Sequence, residues 1–195
     1  MLINNKKIKF IIKEQIIPYI ENILSAVSVI SNYIDISKVN KDIFYNFSLP
    51  SGRGDRYTIK IKNKLINIID ESYNSNPLSL EFAINKFDKM RINRENKKIL
   101  LGDMLELGKF SKKLHKEAAN AINRSEINKV FVYGKHIKET FNKIKTQKKG
   151  IKLNTKNEIL NLMKLKLKNN DCLMVKGSNA TGLNTIFSKL KKGSF

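Results

Sequence analysis

The 195-residue chain is long enough for one good core, or for one domain and a piece of another. A hydrophobic share of 41% beside 28% charged residues is that of a soluble globular protein, and no apolar run approaches the length of a membrane span. The formal net charge of +21 points first to a polyanionic partner. Its distribution points elsewhere. Arg53, Arg56, Arg91, Arg94 and Arg124 are the only arginines, and the lysines are spread through every segment alongside Asn and Ile, a mixture that AT-rich coding favours. No helix-turn-helix, RNP or finger pattern accompanies them, so the charge reads as a solvated surface and nucleic acid is not expected as a partner. Cys172 stands alone in an apolar strand pattern, which leaves no internal disulfide and no zinc cluster. Lysines interrupt the N-terminus too often for a signal peptide, and a cytoplasmic location is expected.

In chain order, Lys9–Ile12 reads as a strand and Asn22–Tyr33 as a helix, with Ile23, Ala26, Val27 and Ile30 on one face. These elements cannot close a core alone. Phe47–Gly52 is a turn-rich connector that sets the expected boundary, with units at 1–47 and 48–195. Tyr57–Ile61 alternates as a half-buried strand, Asn63-Lys64 turns, and Leu65–Ile69 returns beside it, bringing Arg53 towards Asp70. A helix follows Pro77, with Leu80, Ala83, Ile84 and Phe87 on its apolar face. Strand and helix then alternate: strand 98–101, helix 111–124, strand 129–133, a helix carrying Ile137, Thr140, Phe141 and Ile144, and a short strand at 151–153. A helix opened by the capping box Thr155–Glu158 runs to about Lys168, followed by strand 172–175 and helix 183–190. This alternation predicts an α/β, Rossmann-like, mostly parallel sheet flanked by helices, preceded by a small α+β piece.

In such a sheet the strand-to-helix loops share one edge, where ligands bind. The residues that converge there are Asp70, Glu71, Asn74 and Asn76, then Asp103 and Glu106, then Lys176 and Ser178. Each also has a structural reading: Asn and Ser hold turns, Asp103 can terminate its strand, and Glu106 can be a solvated carboxylate. Lys176-Gly177-Ser178 is a cation, a glycine and a hydroxyl ending an apolar strand, a compact anion site. His115 and His136 lack a nucleophile context and read as packing or surface residues.

Asp70-Glu71-Ser72-Tyr73-Asn74-Ser75-Asn76-Pro77 resembles the hinge signature of the Mur ligases. Three further segments match the family in the same order: Gly52-Arg53-Gly54; Gly102-Asp103-Met104-Leu105-Glu106-Leu107-Gly108 with Ser111 and His115; and Val175-Lys176-Gly177-Ser178. Asn22-Ile23-Leu24-Ser25-Ala26 is similar to a helix late in the family's central domain, although the Gly and His that usually precede it are absent. The best match is to the branch that joins D-alanyl-D-alanine to UDP-N-acetylmuramoyl-tripeptide in cytoplasmic peptidoglycan precursor synthesis.

The resemblance implies ATP and Mg2+ as cofactors, with the carboxylate activated as an acyl phosphate. It also implies that residues 1–47 are the tail of the ATPase domain and 48–195 the mobile C-terminal domain. Gly52-Arg53-Gly54 is not a phosphate loop, and no P-loop precedes Tyr45. The chain alone is therefore expected to be inactive, and the missing N-terminal and central domains to act in trans. By the same resemblance Arg53 and Asp70 or Glu71 contact the ATP ribose and phosphates, Asn74 and Asn76 lie near adenine, and Lys176 and Ser178 hold the dipeptide carboxylate. Asp103 and Glu106 join the substrate side. Asn179, Leu183 and Asn184 depart from the Arg and Met-Glu usual in the family. A rival reading is a freestanding basic α/β module that binds nucleotide or nucleic acid without catalysis.

Overall fold

The computed structural model describes residues 2–3 and 6–193, and its chain divides into two compact units between Leu49 and Pro50. In the first, β1 (Leu2–Ile3) and β2 (Lys6–Lys7) pair antiparallel. A 3-10 segment, Glu14–Tyr19, runs directly into α1 (Ile20–Ile30). A small cluster of Ile8, Ile16, Ile23, Val27 and Ile36 forms its core, with Phe10 edge-on to Phe44 at 5.3 Å. Two expectations fail here. Residues 9–12 form no strand: Ile11 N–H donates to Lys41 O, a single loop contact without a ladder. The helix ends before Tyr33 because Ser31 Oγ and the Asn32 amide donate to the carbonyls of Ser28 and Val29, and side chains that compete for backbone in this way favour helix ends. Of its expected face only Ile23 and Val27 are buried.

The second unit is a six-stranded sheet flanked by helices. Its strands are β3 (Asp55–Ile61), β4 (Lys64–Glu71), β5 (Lys97–Gly102), β6 (Lys129–Tyr133), β7 (Lys149–Leu153) and β8 (Cys172–Lys176), in the order β3-β4-β8-β5-β6-β7. β3 is an antiparallel edge, and every other pairing is parallel. The β3–β4 turn falls at Lys62-Asn63, with Lys62 at φ 54° and Lys64 already in the strand, one residue earlier than expected.

Helices α2 (Pro77–Asp88), α3 (Ser111–Glu117), α4 (Ala119–Arg124), α5 (Lys138–Lys143), α6 (Lys156–Asn161) and α7 (Leu183–Lys191) cover both faces. Residues that alternate along a strand therefore serve two cores. Ile99, Leu101 and Met174 pack with Leu80, Ile84 and Phe87 on one side; Leu100, Leu173 and Val175 pack with Ile159, Leu162 and Phe187 on the other. This two-sided burial is why Ile99–Leu101 of β5 and Cys172–Val175 of β8 are unbroken apolar runs. The faces expected on the helices after Pro77 and around Phe141 are buried. The helix expected over 111–124 is two helices, broken at Ala118, and the one expected to reach Lys168 continues from α6 as a π turn, Leu162–Lys166. Among the described residues no helix is long and apolar enough to cross a membrane.

Candidate functional site

Parallel strands β4, β8, β5 and β6 end on one edge, and their last residues and following loops gather there. The β4–β8 register pairs Asp70 with Val175 and Glu71 with Lys176. The antiparallel partner β3 brings Asp55 opposite Asp70, so the 52–54 loop arrives at the same place. Gly54 N–H donates to Asp70 O at 2.8 Å and Tyr73 N–H to Gly52 O at 3.0 Å. Gly52 has φ 84°, and a Cβ on it would stand 2.9 Å from the Tyr73 nitrogen, so the close approach requires glycine. Between the two glycines, the Arg53 guanidinium lies over the Tyr73 ring at 4.1 Å. Such a stack fixes a long side chain in place.

The two carboxylates that end β4 differ in kind. Asp70 is buried, and Oδ1 accepts from the Ser72 N–H and hydroxyl while Oδ2 accepts from the Tyr57 hydroxyl at 3.3 Å. Burial raises its pKa, against the pull of the Ser72 and Tyr57 bonds. It is held within the turn. Glu71 is half-buried and also raised, first by burial, with Lys176, Lys86 and Arg53 drawing it back down. Of the pair, Glu71 is the one facing cations.

Lys176 is 3% exposed, and its ammonium donates to Asn74 O at 2.9 Å. Burial lowers its pKa, and Glu71 opposes that shift. Ser178 joins three loops: Oγ donates to Ser75 O at 3.2 Å and accepts from Leu105 N–H at 2.9 Å, while its own N–H donates to Asp103 O. The Lys176-Gly177-Ser178 segment thus already uses its polar groups to knit the edge together. Gly177 allows this, since a Cβ there would stand 3.0 Å from the Gly102 Cα.

Asp103 is buried and terminates its strand by accepting three backbone N–H groups, those of Lys135, His136 and Ile137, at 2.7–3.0 Å. Asn76 caps α2: its Oδ1 accepts from Ser79 N–H, and Ser79 Oγ accepts from Asn76 N–H. Asn74 is exposed, with Oδ1 accepting from Ser75 N–H at 2.8 Å. Glu106 is exposed on backbone at φ 64° and bonds to none of the others. His115 is fully buried, with Nε2 accepting from Met104 N–H at 3.1 Å; Nδ1 therefore carries the proton and donates to Ser111 O at 2.7 Å. Burial lowers its pKa, and it supports the loop after β5. Beside Asp103 the edge opens into a concavity of about 400 Å³ lined by Leu105, Tyr133, Lys135, Lys138 and Thr181.

Sequence reasoning did not single out Tyr57, Ser72 or Tyr73. Tyr57 lies one strand away from Asp70 and needs the hairpin register to be found. Tyr73 sits inside the singled-out stretch, but its ring is defined by Arg53, twenty residues earlier. Ser75 Oγ is buried and has no hydrogen-bond partner.

The model of the Mur ligase, glutamate ligase domain, matches residues 55–179. Over 148 residues the chain is 36% identical to the UDP-N-acetylmuramoyl-tripeptide–D-alanyl-D-alanine ligase of Buchnera aphidicola subsp. Baizongia pistaciae, covering 74% of this chain and 30% of that one. It is 30% identical to the Rickettsia prowazekii ligase of the same name over 167 residues, 84% of this chain and 34% of that one. The chain thus spans about a third of the length of these relatives. Among solved structures, the MurF ligase of Thermotoga maritima in complex with ADP superposes with a TM-score of 0.63 at 21% identity, over 89% of this chain and 38% of that one. With the family's domain model matching most of the chain and a six-stranded Rossmann-like sheet beneath it, the chain belongs to the Mur ligase family.

Proposed function

We propose that this chain is the part of a D-alanyl-D-alanine-adding ligase that closes over ATP and presents the dipeptide, its assembled enzyme acting in the cytoplasm on UDP-N-acetylmuramoyl-tripeptide. The observation that carries the reading is the Arg53–Tyr73 stack set beside Glu71 at the ends of β3 and β4. The names of the relatives support it.

The residues present fit a nucleotide. Gly52 leaves the backbone room to approach Tyr73, Arg53 offers guanidinium donors suited to a phosphate, and Glu71 offers acceptors suited to ribose hydroxyls. Asp70, already engaged by Ser72 and Tyr57, positions the turn instead. Asn74 is exposed near the base, and Asn76 fixes the helix that follows. ATP, when bound, supplies the phosphoryl group that activates the tripeptide carboxylate. Among the described residues no group of three or more His, Cys, Asp or Glu side chains gathers, and we assign no Mg2+ ligand to this chain.

On the dipeptide side, the concavity beside Asp103 takes the substrate, with the Lys138 ammonium for its carboxylate; exposed Glu106, in the loop after β5, is offered for its amine. Asp103, Lys176 and Ser178 hold the surrounding loops in place. Residues 1–47 are the tail of the central domain. The chain alone does not ligate, because phosphoryl transfer rests on positioning and charge stabilisation from an ATPase core.

The test supplies that core in trans, as the N-terminal and central domains of a related ligase, and follows dipeptide-dependent ATP hydrolysis. The mixture should turn over where neither part does, and Arg53→Ala should lower the rate by at least about tenfold, the loss expected of one charge-assisted contact. No restored hydrolysis, or full activity with Arg53→Ala, would sink the reading.

A further inference from the structure

Most lysines at the amino edge of the sheet, opposite Glu71 and Lys176, turn inward. Lys64 Nζ donates to the carbonyls of Lys164 and Leu167, Lys97 Nζ to Asp88 O, Lys129 Nζ to Gln147 O and Lys149 O, and Lys148 Nζ to Ser125 O and Ile127 O. These carbonyls are the acceptors left over where helices and turns end, and a cation there also meets the negative end of the helix dipole. Lys98 is buried and pairs with Asp171 at 2.6 Å. Lys166 and Lys168 are the exception: they lie at the end of the π turn and just beyond it, are exposed, and have ammonium groups bonded to none of the described residues.

Both lie on one concavity of about 540 Å³, together with Lys98, Lys129, Asn96 and Asn128, over a floor that includes Phe131. Asn96 and Asn128 are half-buried, and their side-chain amides make no hydrogen bond among the described residues. Glu95 is the one carboxylate on the lining, and Asp171 neutralises Lys98, so positive charge remains in excess. The size is that of a small-molecule site. Flexible ammonium groups act as point charges towards phosphate, and two unpaired amides add neutral donors beside them. The cations gather at one hollow instead of tracking a face, which suits a compact anion better than a duplex.

We propose that this concavity is a binding site for a phosphoanhydride anion, separate from the ligase edge. The test is calorimetric titration of the whole chain at low salt with tripolyphosphate and, in parallel, with ATP. Saturable one-to-one binding of tripolyphosphate is expected. Lys166→Glu/Lys168→Glu should weaken it roughly tenfold or more, as loss of charge-assisted contacts does. Lys60→Glu/Lys112→Glu, which changes net charge equally at exposed positions elsewhere, should weaken it far less. Equal affinity for ATP means that the anhydride alone is read, and tighter ATP binding means that a nucleoside adds contacts; both support the site. Equal loss in the two double variants, no saturable binding, or binding of duplex DNA alone would overturn it. Binding that survives Lys166→Glu/Lys168→Glu but is lost in Arg53→Ala would also overturn it, placing the anion at the ligase edge and leaving that reading intact.

Discussion

Glu71 and Lys176 are register partners on adjacent parallel strands, a carboxylate and an ammonium that end β4 and β8 side by side. Each is disfavoured as an ion by burial and favoured by the other. Lys176→Met keeps the length of the side chain, removes the charge, and leaves Asn74 O without its donor. A loss of about 1–3 kcal/mol in urea unfolding is expected, the range for a buried polar group left unmatched. The Glu71 carboxyl should at the same time titrate higher than in the parent chain, because Lys176 is first among the charges that hold it down. An NMR titration showing no change would mean that the two groups are not coupled.

Ser178 should matter more to the edge than its size implies, because its hydroxyl serves the loops after both β4 and β5. Ser178→Ala leaves Leu105 N–H without an acceptor, and a cost of about 1–3 kcal/mol follows. Amide exchange of Leu105 should accelerate well ahead of amides in the middle of β5. Uniform acceleration would show that the loss is global.

His115 predicts sensitivity to mild acid. Its folded pKa lies below the usual 6.5, so its contribution to stability is present above 6.5 and is lost as pH falls through the folded value. Protonation would put a hydrogen on Nε2, where Met104 N–H now donates. The urea midpoint should fall between about pH 8 and about pH 5.5, and His115→Gln should fall less over the same interval. Parallel declines would assign the acid sensitivity to other groups.

Two glycines separate backbone strain from steric conflict. Gly182 has φ 75° with nothing within 4 Å of a Cβ, so Gly182→Ala should cost about 1–2 kcal/mol from its left-handed backbone alone. Gly134 has φ 138°, and a Cβ there would meet the Asp103 carboxylate at 2.5 Å. Gly134→Ala should therefore cost clearly more in thermal unfolding, since Asp103 cannot yield without dropping the N–H groups of Lys135, His136 and Ile137. Equal costs would show that the loop moves freely.

By itself the sequence determined the sheet, the helices that flank it and the edge where polar residues collect. Those are local matters: β5 and β8 carry the apolar runs Ile99–Leu101 and Cys172–Val175, α2 repeats its apolar residues at helical spacing, and Pro77 follows a capping Asn76. Where local pattern and packing disagreed, packing decided. Residues 9–12 have a strand's composition but no ladder partner, and the apolar period across 111–124 does not reveal the break at Ala118. Only the tertiary structure distinguished the roles of chemically similar residues at the site. Asp70 and Glu71 are adjacent carboxylates, yet Tyr57 and Ser72 engage the first while Lys176 faces the second. Asp103, Asn76 and Ser178 have the residue types of ligand contacts and use them to close turns. The physical reason is that a side chain's bonding capacity is finite, and its partners here come from strands and loops up to about a hundred residues away, joined by sheet register and not by sequence spacing.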